Sequence, residues 1–262
     1  VIEAAEALRS VLFPGYFGVS ELTEYNMRFH VGATLDRILL VLLEQIKRGL
    51  CFECDHHGLE CPACLDKSRR ITTEFVQRLP RIQHSLATDV HAAYYGDPAA
   101  KSTDEAIFCY PGILAVTYYR LAHELYRLEV PLIPRMITER AHSLTGIDLH
   151  PGAKIEEEFF IDHGTGVVIG ETCIIGQRVR IYQGVTLGAK SFPLDDKGKP
   201  IKGIPRHPVV EDDVVIYSGA TVLGRVTIGR ESVIGANVWI TRDVAPGSVV
   251  THTVEEDSPV SR

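Results

Sequence analysis

An aliphatic side chain recurs at every sixth position through much of the second half of this chain. The row comprises Ile169, Ile175, Ile181 and Leu187 and then, after a break, Val210, Ile216, Val222, Ile228, Ile234 and Ile240. A helix would repeat its apolar positions every three or four residues, and a simple strand would repeat them every second residue. A period of six, with glycine after half of these residues, predicts a solenoid of short parallel strands stacked around an apolar axis.

The repeat divides the 262 residues into three parts. Residues 148–245 form the predicted solenoid, and residues 246–262 form a polar C-terminal tail. Residues 1–147 instead place aliphatic side chains at helical spacing, as at Ile38, Leu42 and Ile46, between stretches punctuated by proline. We therefore predict an α+β protein, in which an all-helical N-terminal domain precedes a parallel β-helix of hexapeptide repeats.

The sixfold period is interrupted between Leu187 and Val210. Residues 191–208 are rich in Lys, Asp, Gly and Pro, which predicts an inserted loop. Insertions leave a solenoid at one corner and often build its binding surface. This loop is therefore a candidate part of a functional site.

Charge and hydropathy exclude several classes of protein. Lys and Arg total 27 against 34 Asp and Glu, and no basic block is present, which disfavours nucleic-acid binding. The longest strongly apolar run, residues 38–43, is far shorter than the roughly 20 residues needed to span a bilayer. The first residues show no secretory signal pattern. We expect a soluble cytoplasmic protein that binds neither nucleic acid nor membrane.

Two Cys-x-x-Cys pairs, Cys51 with Cys54 and Cys61 with Cys64, flank a short segment that contains Asp55, His56 and His57. Four thiolates at this spacing would hold a structural zinc ion tetrahedrally. Two disulfides, or four reduced thiols, fit the same spacing. The sequence leaves these three alternatives open.

The remaining thiols, Cys109 and Cys173, are expected to be buried small apolar groups. Cys173 in particular falls in a second row of small or aliphatic residues, four positions after the first row.

Two polar motifs interrupt the repeat. Asp162-His163 lies inside the solenoid, where an inert coil needs no ionisable pair, and a carboxylate beside a histidine raises its basicity. Asp148 is a candidate for that carboxylate, because successive coils of about eighteen residues stack on one another. Arg206-His207 closes the inserted loop, where an arginine can bind a carboxylate through two hydrogen bonds.

Taken together, these motifs resemble those of serine O-acetyltransferases. The resemblance covers about residues 85 to 250 and is carried by 96–99 (GDPA), 148–155 (DLHPGAKI), 161–172 (IDHGTGVVIGET), 184–188 (GVTLG) and 206–208 (RHP). It implies a left-handed parallel β-helix and an enzyme that makes O-acetyl-L-serine from L-serine and acetyl-CoA, the first step of cysteine biosynthesis.

The resemblance also implies catalytic roles. His163 matches the general base that takes the proton of the serine hydroxyl during direct attack on the thioester, and Asp148 matches the carboxylate that orients it. Acetyl-CoA would bind along the solenoid between subunits. Small residues near this groove are Gly188, Ala189, Gly219 and Ala236.

The positions that match the substrate site carry both signs of charge. Asp97 and Asp162 match residues that hold the serine ammonium, and Arg206 and His207 match residues that meet its carboxylate. A zwitterion needs both an anionic and a cationic wall. Homoserine, a sugar or an antibiotic hydroxyl remains the alternative acceptor, although a neutral sugar would leave these charges without partners.

Two alternatives of other classes remain. A zinc hydratase of the carbonic-anhydrase type uses similar solenoids, but it would need His150, His163 and His207 around one metal ion. An inactive scaffold with a metal-stapled module at residues 51–64 would have no need of the charged motifs.

The family assembles with active sites between subunits, so the resemblance implies a homotrimer or a dimer of trimers. We expect cysteine, which resembles serine and would fill the serine site, to be a feedback inhibitor. The best-known tail of the family ends in Ile and docks into O-acetylserine sulfhydrylase. Here Ser261-Arg262 ends the chain, which weakens the expectation of that complex.

Overall fold

The computed structural model describes residues 1–18, 22–54 and 61–252. Within these ranges a helical region precedes a region of short strands, and no helix is both long and apolar enough to cross a membrane. The helices are α1 (Ile2–Leu12), α2 (Glu24–Glu53), α3 (Pro62–Gly96), α4 (Thr103–Cys109), α5 (Pro111–Arg127) and α6 (Ile133–Thr145). The strands are β1 (Asp148–Leu149), β2 (Lys154–Ile155), β3 (Phe160–Asp162), β4 (Val168–Ile169), β5 (Ile174–Ile175), β6 (Arg180–Tyr182), β7 (Thr186–Gly188), β8 (Val209–Val210), β9 (Val215–Ile216), β10 (Thr221–Leu223), β11 (Thr227–Ile228), β12 (Val233–Ile234), β13 (Trp239–Ile240) and β14 (Val249–Val250).

The strands form three parallel sheets, so the predicted β-helix of hexapeptide repeats is confirmed. Sheet A has the order β1-β4-β7-β10-β13, sheet B has β11-β8-β5-β2, and sheet C has β14-β12-β9-β6-β3. The aliphatic residues of the sixfold row point into the axis, where Ile175, Ile181 and Leu187 are fully buried. The final strand, β14, pairs with β12, so the coil continues into the segment from residue 246. Residues 253–262, including Ser261-Arg262, lie outside the described ranges.

The coils are not all of one length. Thr221 pairs with Trp239 eighteen residues later, whereas Asp148 pairs with Val168 twenty residues later. The two additional residues lie between Phe160 and Val168, because the corresponding step in the next coil, from Arg180 to Thr186, has six residues. The connection from β3 to β4 is therefore a two-residue bulge at one corner.

The inserted loop lies where the sequence predicts it. Strand β7 ends at Gly188 and β8 begins at Val209. Within the loop, Leu194 and Pro200 form an antiparallel bridge, and Asp195 N donates to Lys199 O at 2.8 Å. The loop therefore has a hairpin-like turn of its own.

The two remaining thiols differ in their surroundings. Cys173 is buried in the axis of the solenoid, as predicted, and burial raises the pKa of its thiol to about 12. Cys109, which was also expected to be buried, is exposed at the last residue of α4. That expectation was wrong because the short helix α4 has few neighbours to cover its C-terminal end.

A buried ion pair joins the helices to the solenoid. The Arg120 guanidinium on α5 donates two hydrogen bonds to Asp89 on α3, at 2.5 and 2.8 Å, and a third to Glu156 O at 3.0 Å. Asp89 also accepts the N–H of Phe159 at 3.0 Å. Because both charges bond to the backbone just before β3, the helices and the first coil share one core.

Candidate active site

The bulge after β3 presents Asp162 and His163. His163 has a φ of 57°, and its side chain is 72% exposed, whereas the Asp162 side chain is only 15% exposed. His163 Nδ1 lies 3.7 Å from Asp162 Oδ1. At this two-residue bulge the His163 side chain therefore projects outside the coil, whereas the Asp162 side chain stays packed against the coil.

Asp97, the residue after α3, belongs to the same cluster. Gly96 lets the end of α3 approach β3 closely, since a Cβ at that position would lie 2.6 Å from the Phe160 ring. A hydrogen bond from Tyr110 lowers the pKa of Asp97, and the nearby His163 lowers it further. The structure thus brings together Asp97, Asp162 and His163, which the sequence separates by 65 residues.

Asp148 begins β1, beside this corner. Its Oδ1 atom is buried without a hydrogen-bond donor among the described residues. The nearest cation is the Arg135 guanidinium, whose Nη1 atom lies 3.8 Å away. An acceptor with no donor fits a carboxylate that bonds to a group which moves or arrives during the reaction.

Arg206 and His207 lie at another corner, in a network the sequence did not reveal. Thr172 Oγ1 accepts the N–H of Arg206 at 2.9 Å and that of His207 at 3.2 Å. Arg206 Nη2 donates to Glu171 Oε2 at 2.7 Å. Glu171 and Thr172 therefore hold both residues at the end of the inserted loop.

His207 is buried and packs its ring on Gly170. A Cβ at Gly170 would lie 2.1 Å from the ring, so only glycine fits there. Nδ1 of His207 accepts the N–H of Thr172 at 3.0 Å. Burial lowers the pKa of His207, and the Arg206 charge lowers it further. The neutral ring with Nδ1 as acceptor carries its proton on Nε2, which makes Nε2 a hydrogen-bond donor.

The two clusters occupy different corners of one chain. Asp162 and His163 follow sheet C, and Glu171 and Thr172 follow sheet A, so one side of the solenoid lies between them. That side is roughly 15 Å long for about five extended residues. A single serine therefore cannot reach both clusters of the same chain.

This chain is similar to known proteins in sequence and in fold. Residues 207–242 match the family model "Bacterial transferase hexapeptide (six repeats)", and residues 166–192 match "Hexapeptide repeat of succinyl-transferase". A plasmid-encoded serine acetyltransferase of Synechococcus elongatus is 58% identical over 247 residues, which cover 93% of this chain and 77% of that protein. This chain belongs to the serine acetyltransferase family. It is therefore an acyltransferase.

Solved structures agree with this assignment. Serine acetyltransferase 1 of Entamoeba histolytica in complex with L-cysteine has a TM-score of 0.83 and 40% identity, covering 96% of this chain and 87% of that one. The soybean serine acetyltransferase complexed with serine has a TM-score of 0.61 and 27% identity, covering 95% and 96%. The family membership thus extends through the helical region as well as the solenoid.

The small residues expected near acetyl-CoA flank sheet A of this serine acetyltransferase family member. Gly188 and Ala189 lie at the end of β7, and Gly219 and Ala236 lie in turns that precede β10 and β13. Gly219 has a φ of +70°, and a Cβ there would lie 2.3 Å from Asn237 Oδ1. The coil itself therefore requires glycine at this position.

The sulfur atoms of the cysteine module are close together. The Sγ atoms of Cys51, Cys54 and Cys64 all lie within 4.8 Å of one another. Cys61 Sγ accepts the Cys64 N–H at 3.4 Å and also contacts the Cys54 thiol. None of the four is joined in a disulfide among the described residues. Asp55, His56 and His57 lie outside the described residues.

Sequence reasoning missed three residues of the site. Glu171 and Thr172 hold Arg206 and His207, and Tyr110 donates to Asp97. Glu171-Thr172 lies within the motif that carries the family resemblance, so its position was a usable signal. Tyr110 lies in no such motif, and only the packing of α5 against β3 shows its role.

Proposed function

We propose that this chain transfers the acetyl group of acetyl-CoA to the hydroxyl of L-serine, giving O-acetyl-L-serine and CoA. The observation that carries the proposal is the convergence of Asp97 and Asp162 on His163. Two carboxylates suit an ammonium group, and the adjacent imidazole suits a hydroxyl proton. A neutral sugar would leave the carboxylates unpaired, so an amino acid is the favoured acceptor.

His163 is the proposed general base. It takes the serine hydroxyl proton as that oxygen attacks the thioester carbonyl, and the C–S bond breaks when the tetrahedral intermediate collapses. The leaving thiolate then takes the proton from the imidazolium. The acetyl group passes directly to serine, with no acetylated enzyme. Asp148, whose Oδ1 atom has no donor among the described residues, is the proposed carboxylate that accepts from the imidazolium.

The cationic wall, formed by the Arg206 guanidinium beside the neutral His207 donor, is proposed to come from a neighbouring subunit. Arg206 and His207 are one side of the solenoid away from His163 in the same chain. In a threefold assembly, one corner of a subunit faces a different corner of the next subunit. We therefore propose a homotrimer, which two helical domains would join into a dimer of trimers. A monomer by light scattering under turnover conditions would contradict both versions.

Acetyl-CoA is proposed to bind along the same subunit interface. Gly188 and Ala189 lie beside the start of the inserted loop, and Gly219 and Ala236 line the opposite border of sheet A. Small residues leave room for an extended pantetheine arm. Ala236→Leu, at an exposed turn residue, should raise the KM for acetyl-CoA and leave that for serine unchanged.

L-Cysteine is the second ligand proposed for the serine site. Serine acetyltransferases from Entamoeba histolytica have been crystallised with cysteine. Cysteine offers the same ammonium and carboxylate as serine, so both charged walls would hold it. Inhibition that is competitive with serine would support this proposal, and inhibition unaffected by serine concentration would oppose it.

The cysteine module is proposed to hold a structural zinc ion. The close approach of the sulfurs of Cys51, Cys54 and Cys64, with Cys61 in contact, matches four-thiolate zinc sites. Such a site requires reduced thiols, which suits a cytoplasmic location. The purified protein should contain one equivalent of zinc by elemental analysis. Cys61→Ser should lose it, and Cys109→Ser, at an exposed thiol, should keep it.

The activity is tested by following the loss of thioester absorbance, because six cysteines would react with a thiol reagent. The acceptors are L-serine, L-homoserine, a simple galactoside and water. Turnover that depends on L-serine, is lost in His163→Ala and is retained in His84→Ala would support the proposal. Turnover that favours homoserine or the galactoside would reassign the acceptor.

A further inference from the structure

The hydroxyl of Tyr110 donates a hydrogen bond to Asp97. Tyr110 Oη lies 2.5 Å from Asp97 Oδ2. The other oxygen of Asp97, Oδ1, accepts the N–H of Ala99 at 2.8 Å. Both carboxylate oxygens are therefore held by donors of the protein, and the plane of the carboxylate is fixed before any substrate arrives.

The backbone around Tyr110 packs against β3, the strand that leads to Asp162 and His163. Tyr110 is the residue before α5, and Pro111 is the first residue of that helix. The backbone of Gly112 approaches β3 so closely that a Cβ would lie 2.3 Å from Ile161 O. Ile161 immediately precedes Asp162 and His163. The contact between Gly112 and Ile161 thus fixes the position of Tyr110 relative to Asp162 and His163, which would bind and deprotonate serine.

The charge of the donor also matters. Burial raises the pKa of Tyr110, as do its hydrogen bond to Asp97 and the negative charges of Asp97, Glu105 and Asp162. The phenol therefore remains a neutral O–H donor. A lysine or arginine at this position would neutralise Asp97, whereas a phenol orients the carboxylate and leaves its negative charge available to an ammonium group.

We propose that Tyr110 is a positioning residue that sets the affinity of the enzyme for the ammonium group of its amino-acid acceptor by orienting Asp97. The inference rests on the proposed serine acetyltransferase activity. Tyr110 Oη is bonded to Asp97, which is proposed to hold the serine ammonium group. Its contribution therefore falls on acceptor binding, and acetyl-CoA binding is independent of it.

Tyr110→Phe tests this inference in the full-length enzyme. We expect the KM for L-serine to rise roughly tenfold, as for the loss of one hydrogen bond to a charged acceptor. The KM for acetyl-CoA and kcat should change less than about twofold. Tyr16→Phe is the matched control, because Tyr16 Oη donates to Asp104 Oδ1 at 2.5 Å on the exposed surface. Its kinetic constants should equal those of the wild type.

Two further measurements separate positioning from general support of the fold. The inhibition constant of 3-hydroxypropionate, which lacks the ammonium group, should be the same in Tyr110→Phe and in the wild type. In an Asp97→Asn background, Tyr110→Phe should have little further effect on the KM for serine. Tyr110→Gln, which keeps a neutral donor, should have an intermediate KM and supplies the comparison if Tyr110→Phe does not fold.

The outcomes distinguish this inference from the proposed function. If the wild type acetylates serine and Asp97→Asn weakens serine binding, an unchanged KM in Tyr110→Phe overturns the role of Tyr110 alone. An equal loss of affinity for 3-hydroxypropionate also overturns it. If the wild type does not acetylate serine at all, the proposed function fails first, and the inference falls with it.

Discussion

The hydroxyl of Thr172 lies 2.9 Å from Nδ1 of His207 and also accepts the backbone N–H groups of Arg206 and His207. Because the Thr172 hydroxyl oxygen already accepts two hydrogen bonds, its contact with His207 uses the hydroxyl proton, which Thr172 donates to Nδ1. One side chain thus fixes the end of the inserted loop and the tautomer of the buried imidazole. The same hydroxyl holds the backbone N–H of Arg206, whose guanidinium donates to Glu171.

Thr172→Val should therefore weaken the cationic wall. It removes the acceptor of two backbone N–H groups, which costs about 1–3 kcal/mol when such groups stay buried and unpaired. The KM for serine should rise roughly tenfold, because Arg206 is no longer held. Thr172→Ser keeps the hydroxyl and should restore most of the affinity. Equal KM values in the two variants would show that the hydroxyl does not hold the loop.

Gly170→Ala tests the contact beneath His207. The added Cβ would lie 2.1 Å from the imidazole Cδ2 and 2.2 Å from Nε2, so the ring must leave its position. We expect a loss of about 1–3 kcal/mol in the free energy of unfolding and a large loss of kcat/KM for serine. The measurements are chemical denaturation and steady-state kinetics.

Gly32→Ala is the matched control for that variant. Gly32 lies on the exposed face of α2, and a Cβ there meets nothing within 4 Å. Alanine favours the helix over glycine by about 1 kcal/mol, so this variant should be as stable as the wild type or more so. Equal destabilisation of both variants would mean that His207 is not packed on Gly170.

The sequence predicted the coil well because its apolar period is a direct consequence of the geometry. Each in-frame aliphatic residue has one environment, the axis, so spacing alone assigns its burial. The bulge at His163 was predicted only through its polar pair, although it also shifts the sixfold frame, since Ile161 is followed in the axial row by Ile169, eight residues later. Tyr110 and Asp97 could not be paired in this way, since their contact depends on how α5 packs against β3.

Three histidines with lowered pKa values predict how stability depends on pH. Burial lowers the pKa of His150 from 6.5 to about 4, and it also lowers those of His123 and His207. Between about pH 4 and pH 6.5 the unfolded chain binds more protons than the folded chain, so the free energy of unfolding rises with pH. The free energy of unfolding should therefore fall as the pH falls from 6.5 towards 5. Urea denaturation at fixed ionic strength measures this slope.

His150→Asn should reduce that slope. His150 Nδ1 accepts the Gly152 N–H at 3.0 Å, and an asparagine carbonyl offers an acceptor in its place without a proton to bind. Below about pH 5 the carboxylates with lowered pKa values, Asp97, Glu124 and Glu171, begin to contribute in the same direction. The comparison is therefore made above that pH. An unchanged slope would show that His150 does not titrate on unfolding.

Two bidentate Asp–Arg pairs in this chain allow the cost of burial to be measured. Asp89 is fully buried and pairs with Arg120, whereas Asp213 pairs with Arg178 at 2.7 and 2.9 Å with both side chains more than 40% exposed. Asp89→Asn leaves a buried guanidinium without its counter-charge, which should cost about 3–5 kcal/mol. Asp213→Asn should cost about 0–1 kcal/mol, because water replaces the lost carboxylate.

The buried pair should also affect where the protein unfolds. Asp89 and Arg120 bond to the backbone at Glu156 and Phe159, immediately before the strand that carries Asp162. Its loss should therefore separate the melting of the helical region from that of the solenoid, whose axial core does not involve it. Calorimetry of Asp89→Asn should show two transitions, and Asp213→Asn should show a single one like the wild type. One transition at a lower temperature in Asp89→Asn would mean that the shared core alone joins the two parts.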